Sequence, residues 1–105
     1  MGSYFFAEIN ITNREEYRKY EQSFSAVFAP YNGEIMVSDE KPVQLEGLWS
    51  SSRIVLIPFP NKEDLQRWYY SAEYQEIIKL RKNASTGNVM ILKISQTQLK
   101  VMRQK

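Results

Sequence analysis

Glu46, Trp49 and Arg53 place a carboxylate, an indole and a guanidinium in the short stretch "EGLWSSSR". A guanidinium can grip a carboxylate or phosphate with two parallel hydrogen bonds, and an indole offers an apolar wall. A glutamate whose pKa is raised by burial can act as a base. The same residues also suit a structural use: Glu46 and Arg53 pair across neighbouring extended segments, and Trp49 packs at a subunit seam. The structural use is the simpler expectation, because opposite charges flanking an aromatic are a common device. The environment of Glu46 discriminates. A buried carboxylate opening into a cleft favours catalysis, whereas a closed pair or an exposed position removes the best base. Gly47, between them, is expected to permit a bulge.

A second candidate cluster lies in "RWYYSAEY" and beyond. Trp68, Tyr69 and Tyr74 could form an aromatic ligand cage, yet Leu65, Trp68, Tyr69 and Ala72 recur at helical spacing and read as a core stripe. Arg81 continues the stripe of Tyr74 and Ile77. A cation facing a core needs an acceptor, either a helix-terminal carbonyl or a carboxylate such as Glu34, or else it binds an anion at a cleft. Both uses of Arg81 stand open.

Other chemistries are excluded by composition. The chain has neither cysteine nor histidine, which removes disulfides, thiolate nucleophiles, serine triads and the usual zinc ligands. No metal and no cofactor are expected. The formal charge is +2, but Lys100, Arg103 and Lys105 supply three of the 14 basic side chains from the carboxyl end. The body is close to neutral, so nucleic acid is not an expected partner. With no apolar run long enough to span a bilayer, no membrane partner is expected, and the expected location is cytoplasmic.

The elements that must position these residues can be read in order. "YFFAEINI" alternates, with Phe5, Ala7, Ile9 and Ile11 on one face of a strand. Asn13, with Glu16 three residues on, opens a helix whose apolar positions are Tyr17, Tyr20, Phe24, Val27 and Phe28. Its wet side includes Glu15, Arg18, Lys19, Glu21 and Gln22, and Pro30 stops it. Asn32-Gly33 suits a turn with positive backbone angles, leading into a strand over Glu34 to Ser38. "VQLEGLW" reads as a short extended piece, and Ser50-Ser51-Ser52 as a turn. "RIVLIPF" reads as a strand buried on both faces, with Pro58 marking an edge or bulge. Asn61 caps the next helix, Ser71 caps its restart, Gly87 lies in the following turn, and "NVMILKI" is the last strand.

The order strand, helix, strand, strand, helix, strand is the split βαβ pattern: an α+β, ferredoxin-like βαββαβ antiparallel sheet with two helices on one face. Residues 1–95 are expected to form one domain, and 96–105 a polar, basic tail that is either mobile or crosses to a partner. Several strands are apolar on both parities, so helices on one side leave an apolar sheet face bare. A second copy of the chain is its expected cover.

At "EGLW", "RIVLIPFPNKEDLQRWYYSAEY" and "KLR" the chain resembles the domain of unknown function 1330 family, over roughly residues 4 to 93. Glu46, Gly47, Trp49, Arg53, Phe59, Pro60, Trp68, Tyr69, Ser71, Glu73, Tyr74 and Arg81 match the family's pattern. Asn32 stands in place of a glycine, Tyr31 of a frequent histidine, Tyr70 of a common aspartate, and Ala72 of a common proline. The resemblance implies a dimeric α/β barrel, hence a homodimer, and it brings no activity with it. The expected function is that of a small-molecule binding or structural module, with a small anionic organic molecule as ligand. The alternative is a cofactor-independent enzyme acting on a small organic acid by general acid/base chemistry. The expected ligand-binding residues are Glu46, Trp49, Arg53, Trp68, Tyr74 and Arg81.

Overall fold

The structure, a computed structural model, describes residues 2–31, 33–49 and 53–94. Asn32, the triple-serine turn and the basic tail lie outside the described residues. The elements run β1 (Ser3–Ile11), α1 (Arg14–Phe28), β2 (Val37–Asp39), β3 (Arg53–Phe59), α2 (Lys62–Tyr69), α3 (Ala72–Ala84) and β4 (Ser85–Lys93). The four strands form one antiparallel sheet in the order β2-β3-β1-β4. This is the α+β, ferredoxin-like fold expected from the element order.

Local signals set the helix ends. The Asn13 side chain accepts the Glu16 N–H at 3.2 Å, Asn61 accepts from Asp64 at 2.7 Å, and Ser71 accepts from Tyr74 at 3.1 Å. Each such cap is worth about 1 kcal/mol. Ser71 does more, because its hydroxyl also donates to the Trp68 carbonyl at 2.8 Å. It therefore splices the end of α2 to the start of α3. The splice breaks the helical register, so the inner stripe of α2 ends at Tyr69 and Ala72 is exposed rather than inward.

The core lies between the sheet and the helices. Phe5, Ala7, Ile9, Ile57 and Phe59 meet Tyr17, Tyr20, Phe28, Leu65, Trp68, Tyr74 and Ile78, all buried. Trp68, with 0% exposure, is the hub. Its ring lies 4.4 Å from Tyr74, 5.0 Å from Phe5, 5.4 Å from Phe28 and 5.6 Å from Phe59, centroid to centroid. Aromatic pairs of this kind contribute about 0.5–1.5 kcal/mol each beyond the area they bury.

Several expectations need correction. β2 is shorter and shifted relative to the predicted Glu34 to Ser38. In its register Val37 faces Leu56, so extending it backward would set Ile35 against Pro58, which has no N–H for the ladder. β3 is not buried on both faces: Ile57 and Phe59 are buried, Ile54, Leu56 and Pro58 are half-exposed on the side that carries no helix, and Arg53 and Val55 are half-exposed on the helix side. "VQLEGLW" forms no strand, and Gly47 takes φ +82° in an exposed bend rather than in a bulge. Gly33 packs against rings of the core. It is required for space, because a Cβ there would fall 2.5 Å from Phe28 and 2.7 Å from Phe59 ring atoms. Gly87 sits inside β4 opposite Ile9, where a Cβ would meet the Glu8 carbonyl oxygen at 2.0 Å.

The side of the sheet away from the helices shows rows Val37–Leu56–Phe6–Met90 and Pro58–Tyr4–Leu92. Tyr4, Phe6 and Leu56 are half-exposed, and Met90 and Leu92 are exposed. Residues 42–49 add Val43, Leu45 and Leu48, all almost wholly in solvent.

Candidate functional site

A cleft of about 190 Å³ opens between α1 and the sheet. Its apolar wall is Phe5, Ala7, Phe24, Ile35, Val55 and Ile57. Its polar groups are Tyr17, Tyr20, Glu21, Ser25, Ser38, Arg53 and Arg81. Alternation along β3 turns Arg53, Val55 and Ile57 toward the helices, and helical spacing brings Tyr17, Tyr20, Glu21 and Phe24 of α1 to the same cleft. Arg81 enters from α3, which packs beside α1.

Arg53 sits at the rim. Its side chain is 16% exposed, and its Nη1 lies 3.1 Å from the Glu21 carboxylate and 3.3 Å from Glu40. Its Nη2 donates to the Ser38 hydroxyl at 2.8 Å, and the guanidinium carbon stands 5.6 Å from the Tyr17 ring centroid. Glu40 also accepts a hydrogen bond from Arg14, which holds its carboxyl below the usual range. The Arg14–Glu40–Arg53–Glu21 network thus ties the short edge strand β2 to α1.

Arg81 sits deeper, with 8% exposure. Its Nε is buried without a hydrogen-bond partner, as is the Nε of Arg53. Among the described residues no carboxylate pairs with Arg81. Its polar surroundings are phenols. The Tyr20 and Tyr74 hydroxyls are 2.7 Å apart in a buried hydrogen bond, and the Tyr74 phenol interacts with the guanidinium. Burial pushes the Tyr20 pKa well up, with the Tyr74 phenol adding to the rise. Burial also raises Tyr74, against the opposing pull of Arg81, and raises Tyr17 against Arg53. Burial works to lower the Arg81 pKa, but the phenols outweigh it and the guanidinium stays charged. At neutral pH the cleft therefore offers two cations, the Glu21 carboxylate and the two neutral phenols of Tyr17 and Tyr20, and these phenols donate hydrogen bonds rather than accept protons as bases.

The structure divides the six expected site residues into three groups. Arg53 and Arg81 line the cleft. Trp68 and Tyr74 pack behind it in the core, and the Trp68 Nε1 is buried without a hydrogen-bond partner. Glu46 and Trp49 stand elsewhere, on the exposed 42–49 segment, where a shallow recess also includes Pro42, Val43 and Ile54. The carboxylates that pair with Arg53 are Glu21 and Glu40 rather than Glu46. Arg81 meets Tyr74 and Tyr20 rather than Glu34, which is exposed. Sequence reading missed Glu21, Ser38, Glu40 and the polar use of Tyr17 and Tyr20. Glu21 follows Tyr17 by four residues, so one helix face carries both.

The family profile described as domain of unknown function (DUF1330) matches residues 2–94, and the chain belongs to that family. Among curated proteins none matches. Among solved structures, the RPA0582 protein of unknown function from Rhodopseudomonas palustris superposes with a TM-score of 0.75 at 15% identity, covering 90% of this chain and 83% of its own. SnoaB from Streptomyces nogalater, described as a cofactor-independent oxygenase, gives a TM-score of 0.64 at 12% identity, with 90% and 94% covered. HapK from Hahella chejuensis gives 0.61 at 6% identity, with 90% and 93% covered. At these identities the likeness carries the fold alone.

Proposed function

We propose that this chain is a cytoplasmic, homodimeric binding module that takes a small organic anion into the cleft between α1 and the sheet. The observation that carries the reading is the cleft's make-up: an apolar wall with two arginines, each keeping a buried Nε without a partner. A buried cation normally has a counter-charge, so a cleft-lining guanidinium with no paired carboxylate among the described residues, as at Arg81, suits an anion. The homodimer rests on the bare apolar sheet face, since contiguous apolar patches are rarely left wet. Thermal-shift screening against carboxylic acids and phosphates tests the binding, because a ligand of the native state alone raises the melting temperature. A flat response across the panel overturns the ligand reading, and a monomeric mass by light scattering at micromolar concentration overturns the homodimer.

A second reading, a cofactor-independent enzyme acting on a small organic acid, draws on the likeness to SnoaB and on Glu21, the carboxylate lining the cleft. Glu46 lies outside the cleft, so general-base work there falls to Glu21. Oxygen uptake or substrate turnover by the wild type, lost in Glu21→Gln, would favour this reading.

A further inference from the structure

We infer that the ligand is a monoanion with a compact apolar body, bound with its charged end at Arg81 and its body against Phe24, Val55 and Ile57. The inference rests on the cleft being a binding site and assigns its polarity, its charge rule and its size limit.

The two arginines differ in what already neutralises them. Arg53 has two carboxylates within 3.3 Å and a hydroxyl at 2.8 Å. Its charge is spent on holding β2 against α1. Arg81 is more deeply buried, and its surroundings are neutral phenols with no paired carboxylate among the described residues. A buried guanidinium without a counter-charge is costly, and a bound carboxylate would relieve that cost while accepting charge-assisted hydrogen bonds. Tyr20, which lines the cleft, presents a neutral hydroxyl beside that position.

The charge rule follows from the lining. Arg53, Arg81 and Glu21 leave one net positive charge, and Glu21 stands on the Arg53 side. A second anionic group on the ligand would meet that carboxylate, so dicarboxylates and phosphate dianions are disfavoured. The size limit follows from the volume. A cavity of about 150 Å³ is enough for benzene, whereas drug-sized ligands use about 300 Å³ or more. A cleft of about 190 Å³ therefore suits one ring, or a short branched chain, carrying one carboxylate. Arg81 also lines a wider, more open recess with Lys82, Ser85 and Thr86, whose polar walls suit water rather than an apolar body.

The test uses the full-length chain labelled with 15N at arginine and titrated separately with benzoate, succinate and inorganic phosphate. Expected are a shift of the Arg81 Nε–H signal with benzoate, little movement at Arg53, and nuclear Overhauser contacts from the ring to the Val55 and Ile57 methyls. Benzoate should bind at least about tenfold more tightly than succinate or phosphate, and Arg81→Met should weaken it about tenfold or more. If Arg81→Met does not fold, the wild-type signals alone decide. Equal or tighter binding of succinate or phosphate, or movement at Arg53 instead, overturns the inference and leaves the anion-binding cleft standing, whereas contacts to Thr86, which lines the other recess, overturn both. No response to any of the three probes overturns both.

Discussion

On the helix side of the sheet, Phe5, Ala7, Ile9 and Ile57 are sealed under a mesh of rings centred on Trp68. On the opposite side, the same strands set Tyr4, Phe6, Leu56, Met90 and Leu92 in rows with no described element above them. Both faces are apolar, yet they differ in polar content. The covered face holds the arginines and phenols in a cleft, whereas the bare face is apolar over most of its area and is edged by Asp39, Glu8 and Asn88. A ligand needs a few placed polar groups within an apolar wall, and a subunit contact needs breadth. This contrast is the ground for proposing ligand binding on the first face and self-association on the second.

The largest expected effect breaks the covered face. Trp68→Ala should cost about 3–5 kcal/mol in urea unfolding, since the hub would become a cavity among fixed rings. A loss under about 1 kcal/mol would mean that the mesh is not the core. On the bare face, Met90→Glu should raise the dimer dissociation constant about 100-fold, roughly 3 kcal/mol, while circular dichroism stays unchanged. Sedimentation that shows the same mass for both proteins would remove the assignment of that face.

A pH series sharpens the covered side further. Tyr17, Tyr20 and Tyr74 have folded pKa values above those of free phenols, so their contribution is intact below about pH 10, where unfolded tyrosine begins to ionise. Above that pH the unfolded chain binds fewer protons than the folded one, and stability falls by up to about 1.4 kcal/mol per pH unit per tyrosine. Urea midpoints at pH 9 and pH 11 should show the fall, and Tyr20→Phe should flatten it. The smallest effect is expected at Leu48→Ser. With Leu48 in solvent, the stability of the single chain should change by less than about 0.5 kcal/mol. A larger, concentration-dependent loss would show that the 42–49 segment is covered in the dimer.

Much of this was legible locally. Asn13, Asn61 and Ser71 announce helix starts because a cap is a bond between residues three apart. Arg81 stood out because a cation on a core stripe has no ordinary explanation. Glu46 and Arg53 are near along the chain but do not pair in space, because residues 42–49 project away from the cleft. Glu21 was hidden on the wet side of its helix, which is wet only until β2 and Arg53 come alongside.

By itself, the sequence determined the antiparallel α+β order, the jointed second helix, the apolar surplus on the sheet and the absence of thiol and imidazole chemistry. These depend on periodicity, capping and composition, which act over a few residues. Only the tertiary structure decided that Arg53 is neutralised by Glu21 and Glu40, that Arg81 is left among phenols, and that Pro58 truncates β2. Those outcomes depend on which distant segments share a register or a cleft, and burial then sets the charge and proton balance of the groups brought together there.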